Sequence, residues 1–266
     1  MLALAIAFPS RAADRERIAT LNVASTTLVT YLGCLAQNKL FKRSTSNMRC
    51  LAAGAVGGAG FYQAKRLAGE GHITTAWLVA NLSSSVIENT MAGENPLSRL
   101  GYTFGPFRLR VATPLDRARA SYVDVDLSLA ETGYLTRMLL DADDVDIRDG
   151  MLWWETREPD VQGDLVFHGY TWGLYPGVWS GAQKHVWNHE AVHAVQSLQL
   201  DSVEPPLFDL AEESGRSRVP VRIRYVRAGV LNLADNVVWA QLPYEDRWAE
   251  IEAYRFAERR SPPQTK

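Results

Sequence analysis

The sequence predicts an α+β protein in which an apolar helical region, residues 1–95, precedes a domain, residues 96–266, built on a small, mainly antiparallel sheet. Three observations predict it. Residues 21–37, 50–63 and 72–86 carry no charge, free of the breaks that would end a helix apart from small glycines. From Leu100 to Pro176 the texture turns to alternation punctuated by turn signals. The last third returns to helical spacing, and its first helix carries a His-Glu-x-x-His motif.

Taken in order, the first residues form a short apolar run, Leu2 to Phe8, followed by Pro9 and then Arg11-Ala12-Ala13. That pattern is similar to the apolar core and cleavage site of a secretory leader, although the basic residues that usually precede one are missing. Export, or attachment to a bacterial-type envelope, is therefore an open expectation. The second apolar run holds Gly54, Gly57, Gly58 and Gly60, and small residues at such spacing let helices approach closely. Two readings stand for residues 1–95: a membrane-contacting hairpin, or a helical layer buried against the rest of the chain. The runs lie at or below the short end of a spanning helix, and the first is rich in Thr and Ser, which favours the buried layer. Lys39, Lys42 and Arg43 cluster between two runs and suit either a headgroup-facing loop or a solvated turn. Cys34 and Cys50 are too few for a disulfide framework and are not spaced as a metal knuckle; they pair if the first two helices lie side by side, and otherwise are buried thiols.

In the middle third, Phe107-Arg108-Leu109-Arg110-Val111 alternates apolar and basic residues as a half-buried strand does. Tyr122 to Leu127 is a second strand candidate. Val145 to Trp154 reads as a hairpin turning at Asp149-Gly150. A short helix is expected over Tyr134 to Leu140, and a further strand over Gly163 to Leu174. Ser180-Gly181-Ala182-Gln183 has the pattern of a capping box, which predicts a helix from there through Leu200, stopped by Pro205-Pro206. Residues 220–239 show Ile223, Val226, Val230 and Leu233 at helical spacing, and Glu245 to Arg259 is a final helix. The tail from Ser261, with Pro262-Pro263, reads as frayed.

At 266 residues and a formal net charge of −2, with no stretch that gathers Lys and Arg, nothing in the chain recommends a nucleic-acid partner, and none is expected. The chemistry concentrates in His189-Glu190-Ala191-Val192-His193. Residues four apart project from one face of a helix, so both imidazoles can reach one ion. A hydrolytic zinc site takes three protein ligands and keeps a position for water, and Glu190, beside the first histidine, is placed to take a proton from that water. Chance would put this motif in about one in two hundred chains of such composition. The remaining ligand candidates are carboxylates or another histidine; Glu250 and Glu252 lie on the late helix, two residues apart, so they point in different directions and only one should ligate.

His189-Glu190-Ala191-Val192-His193 followed by Glu250-Ile251-Glu252-Ala253 resembles the gluzincin clan of zinc metallopeptidases, over roughly residues 163–257. The resemblance implies a zincin-like domain, a bound Zn2+, and a peptide or protein substrate. Aligned on Ala253, it makes Glu250 the third ligand and leaves Glu252 to a supporting or solvent-facing role. Gln196 resembles the glutamine of an H-E-x-x-H-x-x-Q variant seen in short gluzincin domains. Tyr254 stands where the clan often carries an aspartate that supports a zinc-bound histidine. His168, Tyr170 and Tyr254 are the candidates to support the oxyanion, with His185 one turn before His189. By analogy with the clan, the strand Leu165 to Trp172 would hold a substrate backbone. The tryptophans around the sheet, Trp153, Trp154, Trp172, Trp179 and Trp187, read as core. Against the peptidase reading stand a non-catalytic gluzincin-like binding protein and a membrane-associated assembly protein whose N-terminal helices are the functional part.

Overall fold

The structure, a computed structural model, describes residues 11–116, 121–162, 165–209, 219–239, 241 and 247–258. The leader-like run Leu2 to Phe8 and the tail from Ser261 lie outside the described residues. The chain is mixed α+β. Three long helices open it: α1 (Arg11–Leu40), α2 (Asn47–Gly69) and α3 (Ile73–Met91). Strands β1 (Arg99–Phe104), β2 (Phe107–Ala112) and β3 (Ser121–Ser128) follow, then α4 (Leu129–Asp141). Next come β4 (Asp144–Arg148), β5 (Met151–Thr156), β6 (Asp160–Gln162), β7 (Leu165–Phe167), β8 (Gly169–Trp172) and β9 (Tyr175–Trp179). The long helix α5 (Lys184–Val203) leads to β10 (Phe208–Asp209), β11 (Val219–Arg227), α6 (Val230–Trp239) and α7 (Trp248–Ala253), which runs on into one π-helical turn, Tyr254–Glu258.

Glycines set the helix spacing. A Cβ on Gly54 would lie 2.6 Å from the Cα of Thr27, and one on Gly58 would lie 2.9 Å from the Cα of Val23, so α1 and α2 touch backbone to backbone. Ser46 caps α2 by accepting from the Arg49 amide, and a disulfide joins Cys34 to Cys50 across the α1–α2 turn, which settles the open question about the two cysteines. The buried core is continuous across residue 95: Phe61, Trp77, Ile87 and Met91 pack in one cluster with Val192, Val195 and Leu198 of α5 and with Trp153 and Val178 of the sheet.

Where one small sheet is expected, the strands form two sheets and a ribbon. The five-stranded sheet has the order β1-β2-β3-β11-β10, the four-stranded one β4-β5-β9-β8, and β6 pairs with β7. Two of the described pairings, β3 with β11 and β5 with β9, are parallel and the others antiparallel. The hairpin at Asp149-Gly150 is present, with φ of 55° and 81° at the two turn residues, the left-handed pair that a tight two-residue hairpin requires.

Two expectations are corrected. Residues 220–239 are not one helix. Val219–Arg227 is a strand parallel to β3, because its side chains alternate over residues 221–224, before a register shift between Ile223 and Val226, and its arginines meet the aspartates of β3; the chain then turns at Gly229, φ 73°, into α6. The second concerns the start of α5, where Ser180 is no cap. The Ser180 amide is held by the Thr156 carbonyl and that of Ala182 by Trp179, so these residues close a turn off the sheet and the helix starts at Lys184 after Gln183.

The polarity of the five-stranded sheet is reversed. In β2 the arginines Arg108 and Arg110 are buried while Phe107, Leu109 and Val111 are exposed. The inward residues form rows across the sheet by register: Arg110 opposite Asp124 and then Arg222, Arg108 opposite Asp126. α3 lies over this face. Arg108 donates to Glu88 at 2.7 Å, to the Asn81 side chain at 2.9 Å and to Thr103 at 2.7 Å. Arg99 bridges Asp116 and Asp124 at 2.7 and 2.8 Å, Arg227 reaches Glu88 at 3.1 Å, and Arg224 pairs with Glu94. Burying ions costs several kcal/mol each unless partners and hydrogen bonds offset it; here the buried arginines each have a carboxylate within 3.9 Å, while both Asp126 oxygens lack a hydrogen bond.

Two stability predictions follow from these buried charges. Arg108→Met, which keeps length but removes the charge facing Glu88, should destabilise by about 3–5 kcal/mol, read as a drop in Tm of about 10 °C; a change near zero would mean the lattice contributes no net stability. The second concerns Asp201, whose carboxyl burial, aided by Glu204 and Glu88, pushes up to about 7 against the pull of Arg227 and Asn232. The folded state therefore binds the proton more tightly than the unfolded chain, and stability from this group is lost as pH rises toward 7. Asp201→Asn should raise Tm by a few degrees at pH 8 and by less at pH 4; an equal effect at both would sink the assignment.

Candidate metal centre

α5 is anchored by Ala191, Val192, Ala194, Val195 and Leu198, all buried in the core, and this fixes which way its remaining face looks. His189 and His193, one turn apart, lie on that face with ring centroids 4.8 Å apart. The short helix α7 brings Glu250 to them. The Nε2 atoms of the two histidines are 3.0 Å apart, and Glu250 Oε2 lies 3.2 Å from His189 Nε2 and 3.4 Å from His193 Nε2. Ligand atoms bound to one tetrahedral zinc at about 2.0–2.1 Å stand about 3.3 Å from one another. The triangle formed by these three atoms therefore fits an ion of that size, and the donor set of two imidazoles and one carboxylate suits it.

The electrostatics of the cluster draw in positive charge. Burial pushes the Glu190 carboxyl up, and the nearby Glu250 charge adds to this, against the histidines and Thr171. Burial alone would lower His193, but the Glu250 and Glu190 carboxylates outweigh it and hold the imidazole up, to about 9. Glu250, although burial opposes it, is held well below the usual carboxylate range by the two histidines. A buried set of groups that keeps a proton between its carboxylates is one in which a cation can take the proton's place.

Glu190 is buried next to the triangle and points to β8. Its Oε2 accepts from the Thr171 hydroxyl at 2.8 Å, and its Cγ rests where a Cβ on Gly169 would come within 3.0 Å, so β8 is moulded to this side chain.

Behind His193 runs a chain of hydrogen bonds that ends in the N-terminal helices. His193 Nδ1 lies 2.7 Å from Gln196 Oε1, and Gln196 Nε2 donates to Glu252 Oε2 at 2.7 Å and to the Ala249 carbonyl at 3.1 Å. Both partners of Nε2 are acceptors, so the amide can face only one way; Oε1 then accepts from Nδ1–H, and Nε2 of His193 is left to present its lone pair to the triangle. Glu252 is itself held by Lys65 Nζ at 2.8 Å and Asn22 Nδ2 at 2.5 Å, and Lys65 donates to Asn22 Oδ1 at 2.6 Å. Lys65 and Glu252 are buried, at 3% and 1% exposure, so neither charge has water to fall back on.

The sequence-predicted residues thus divide. His189, His193 and Glu250 meet in the triangle, with Glu190 beside it. Glu252 supports it from behind, and the Tyr254 ring meets the His189 ring edge-on at 4.6 Å. His168 is exposed and rests on Trp179 at 5.6 Å, and Tyr170 packs on Trp154 at 4.8 Å, both in a separate aromatic set; His185 is half-buried on the first turn of α5. Thr171, Lys65 and Asn22 were not singled out from the sequence, though a lysine bordering a charge-free helix and an asparagine inside one are signals in themselves.

The chain matches no family model, no curated protein and no solved structure.

The chain of bonds behind His193 predicts a common effect of two substitutions. Lys65→Met leaves Glu252 with a buried charge lacking its cation; were the triangle to hold zinc, this change and Gln196→Leu should each weaken its retention by about 10- to 100-fold in a competition titration against a chromogenic chelator. Unchanged affinity in both would mean that His193 needs no support from this side.

Proposed function

We propose that the chain is a zinc-dependent metallopeptidase with a zincin-like domain of the gluzincin type. The observation that carries the reading is the triangle of His189 Nε2, His193 Nε2 and Glu250 Oε2, with separations of 3.0–3.4 Å, beside a buried glutamate. Zinc held there would supply a Lewis acid that lowers the pKa of water to near neutrality and polarises a carbonyl.

The residues of the chain account for the rest. Glu190, oriented by Thr171 and raised by its burial, takes the proton from the attacking water and returns it to the leaving amine. Gln196 and Glu252 keep His193 in one tautomer throughout. β8 is the terminal strand of the four-stranded sheet, pairs with β9 on one side, and passes Glu190 at Thr171. An extended peptide adding to its other edge would lie along the triangle, which favours a peptide substrate over a compact one.

The test is elemental analysis of the purified chain followed by a peptide-library cleavage assay. About one zinc per chain, lost in Glu250→Gln, together with cleavage that falls by about 10²–10⁴-fold in Glu190→Gln while zinc is retained, is the expected pattern. Absence of zinc after reconstitution would overturn the metal reading; zinc present but no cleavage of any peptide would overturn the peptidase reading.

A further inference from the structure

Behind the metal centre, helices α1, α2, α5, α6 and α7 surround a cavity of about 440 Å³, a volume in the range of small-molecule sites. Its walls are apolar: Leu21 and Val29 of α1, Leu200 and Val203 of α5, and Trp248 of α7. Its floor is the polar group that backs His193. Lys65 Nζ donates to Asn22 Oδ1 at 2.6 Å and to Glu252 Oε2 at 2.8 Å, and Gln196 Nε2 donates to the same carboxylate oxygen at 2.7 Å. An ammonium carries three hydrogens, so one remains, on a side chain that is only 4% exposed. Among the described residues no acceptor meets it.

Water suits this floor but not these walls, since a held water needs two to four polar partners. A molecule with an apolar body satisfies both, provided that its polar end accepts a hydrogen bond from Lys65. The charge of that end is restricted too. Lys65 and Glu252 offset one another. A carboxylate would lie beside Glu252, with Asp235 of α6 also on the lining, and an ammonium would lie beside Lys65, each desolvated at a cost the floor does not offset.

α7 belongs to both sites. It supplies Trp248, Ala249 and Glu252 to the cavity and Glu250 to the triangle, so neither site is complete unless it is docked. Two ligands that need the same docked helix strengthen one another's binding.

We propose that this cavity binds an uncharged amphiphile, an aliphatic body ending in a hydroxyl or carbonyl, and that its occupancy is coupled to metal binding through α7. The cavity stands on its own residues. Its coupling to metal rests on the proposed zinc centre, so the docking of α7 is read separately from zinc.

Titration calorimetry of the full chain with the primary alcohols hexanol, heptanol and octanol tests the site. Wild type should take up a single octanol, with affinity rising about fourfold per added methylene. Octanoate and octylammonium should bind about tenfold more weakly, or less. Ser25→Trp, at an exposed position of α1 on the lining, places an indole in the cavity and should abolish uptake at unchanged Tm; Leu200→Trp should do the same from α5. In metal-free protein, octanol should slow amide hydrogen exchange in α7, and with zinc present it should tighten zinc retention by about fivefold or more. No saturable uptake of octanol by wild type would overturn the proposal. So would octanoate or octylammonium binding as tightly as the alcohol, or uptake that leaves exchange in α7 unchanged. Slowed exchange in a chain that never takes zinc would overturn the metal reading while supporting the cavity and its link to α7.

Discussion

A charge removed from water must meet an opposite charge or a full set of hydrogen bonds, and this requirement shapes the protein in two places. In the five-stranded sheet it turns the strands over: Arg108 and Arg110 go inside because Glu88 and Asp126 are there to receive them, and the aliphatic residues are left outside. Behind the histidine triangle it does something more local. Glu252 is tolerable in the interior only with Lys65 beside it, so the last helix can dock in one orientation, and that orientation is the one that points Glu250 at the histidines. Two glutamates two residues apart divide the work, one facing the histidines and the other facing the fold.

The same constraint explains what could and could not be read from the sequence. Features that depend on neighbours along the chain were legible: the three apolar helices, the hairpin at Asp149-Gly150, and the helix that sets His189 and His193 on one face. The separation of roles between Glu250 and Glu252 was legible as a choice, since residues two apart on a helix diverge. The failures depend on distant partners. Residues 220–239 have helical spacing in Ile223, Val226, Val230 and Leu233, yet a strand with period two fits its first half equally well; what decides is Asp124, almost a hundred positions upstream, waiting for Arg222 and Arg224. The alternation in Phe107 to Val111 identified a strand without saying which side was in, because alternation is symmetric and only the charge of the opposing helix breaks the tie. Lys65 and Asn22 escaped notice for the same reason: their roles are set by Glu252.

Glycine has a similar part in the assembly. Gly54 and Gly58 bring α1 against α2, and Gly69, where a Cβ would lie 2.5 Å from the Phe256 backbone, lets the turn after α7 settle on the end of α2. The Asn188 side chain donates to the Gly69 carbonyl at 3.2 Å, so the residue before His189 is tied to the same point. Small residues near the start of the chain thus set distances among groups supplied near its end.

That division of labour gives the centre a built-in order of events. Two ligands sit on α5, but the third, and the carboxylate that steadies His193, arrive only with α7, and Glu252 must then find Asn22 and Lys65, 230 and 187 positions earlier in the chain. During synthesis a chain that has passed residue 193 but not residue 250 carries both histidines without the carboxylate that completes the triangle. A centre assembled in this way stays open until α7 has docked, and a nick that frees that helix would open it again without touching either histidine.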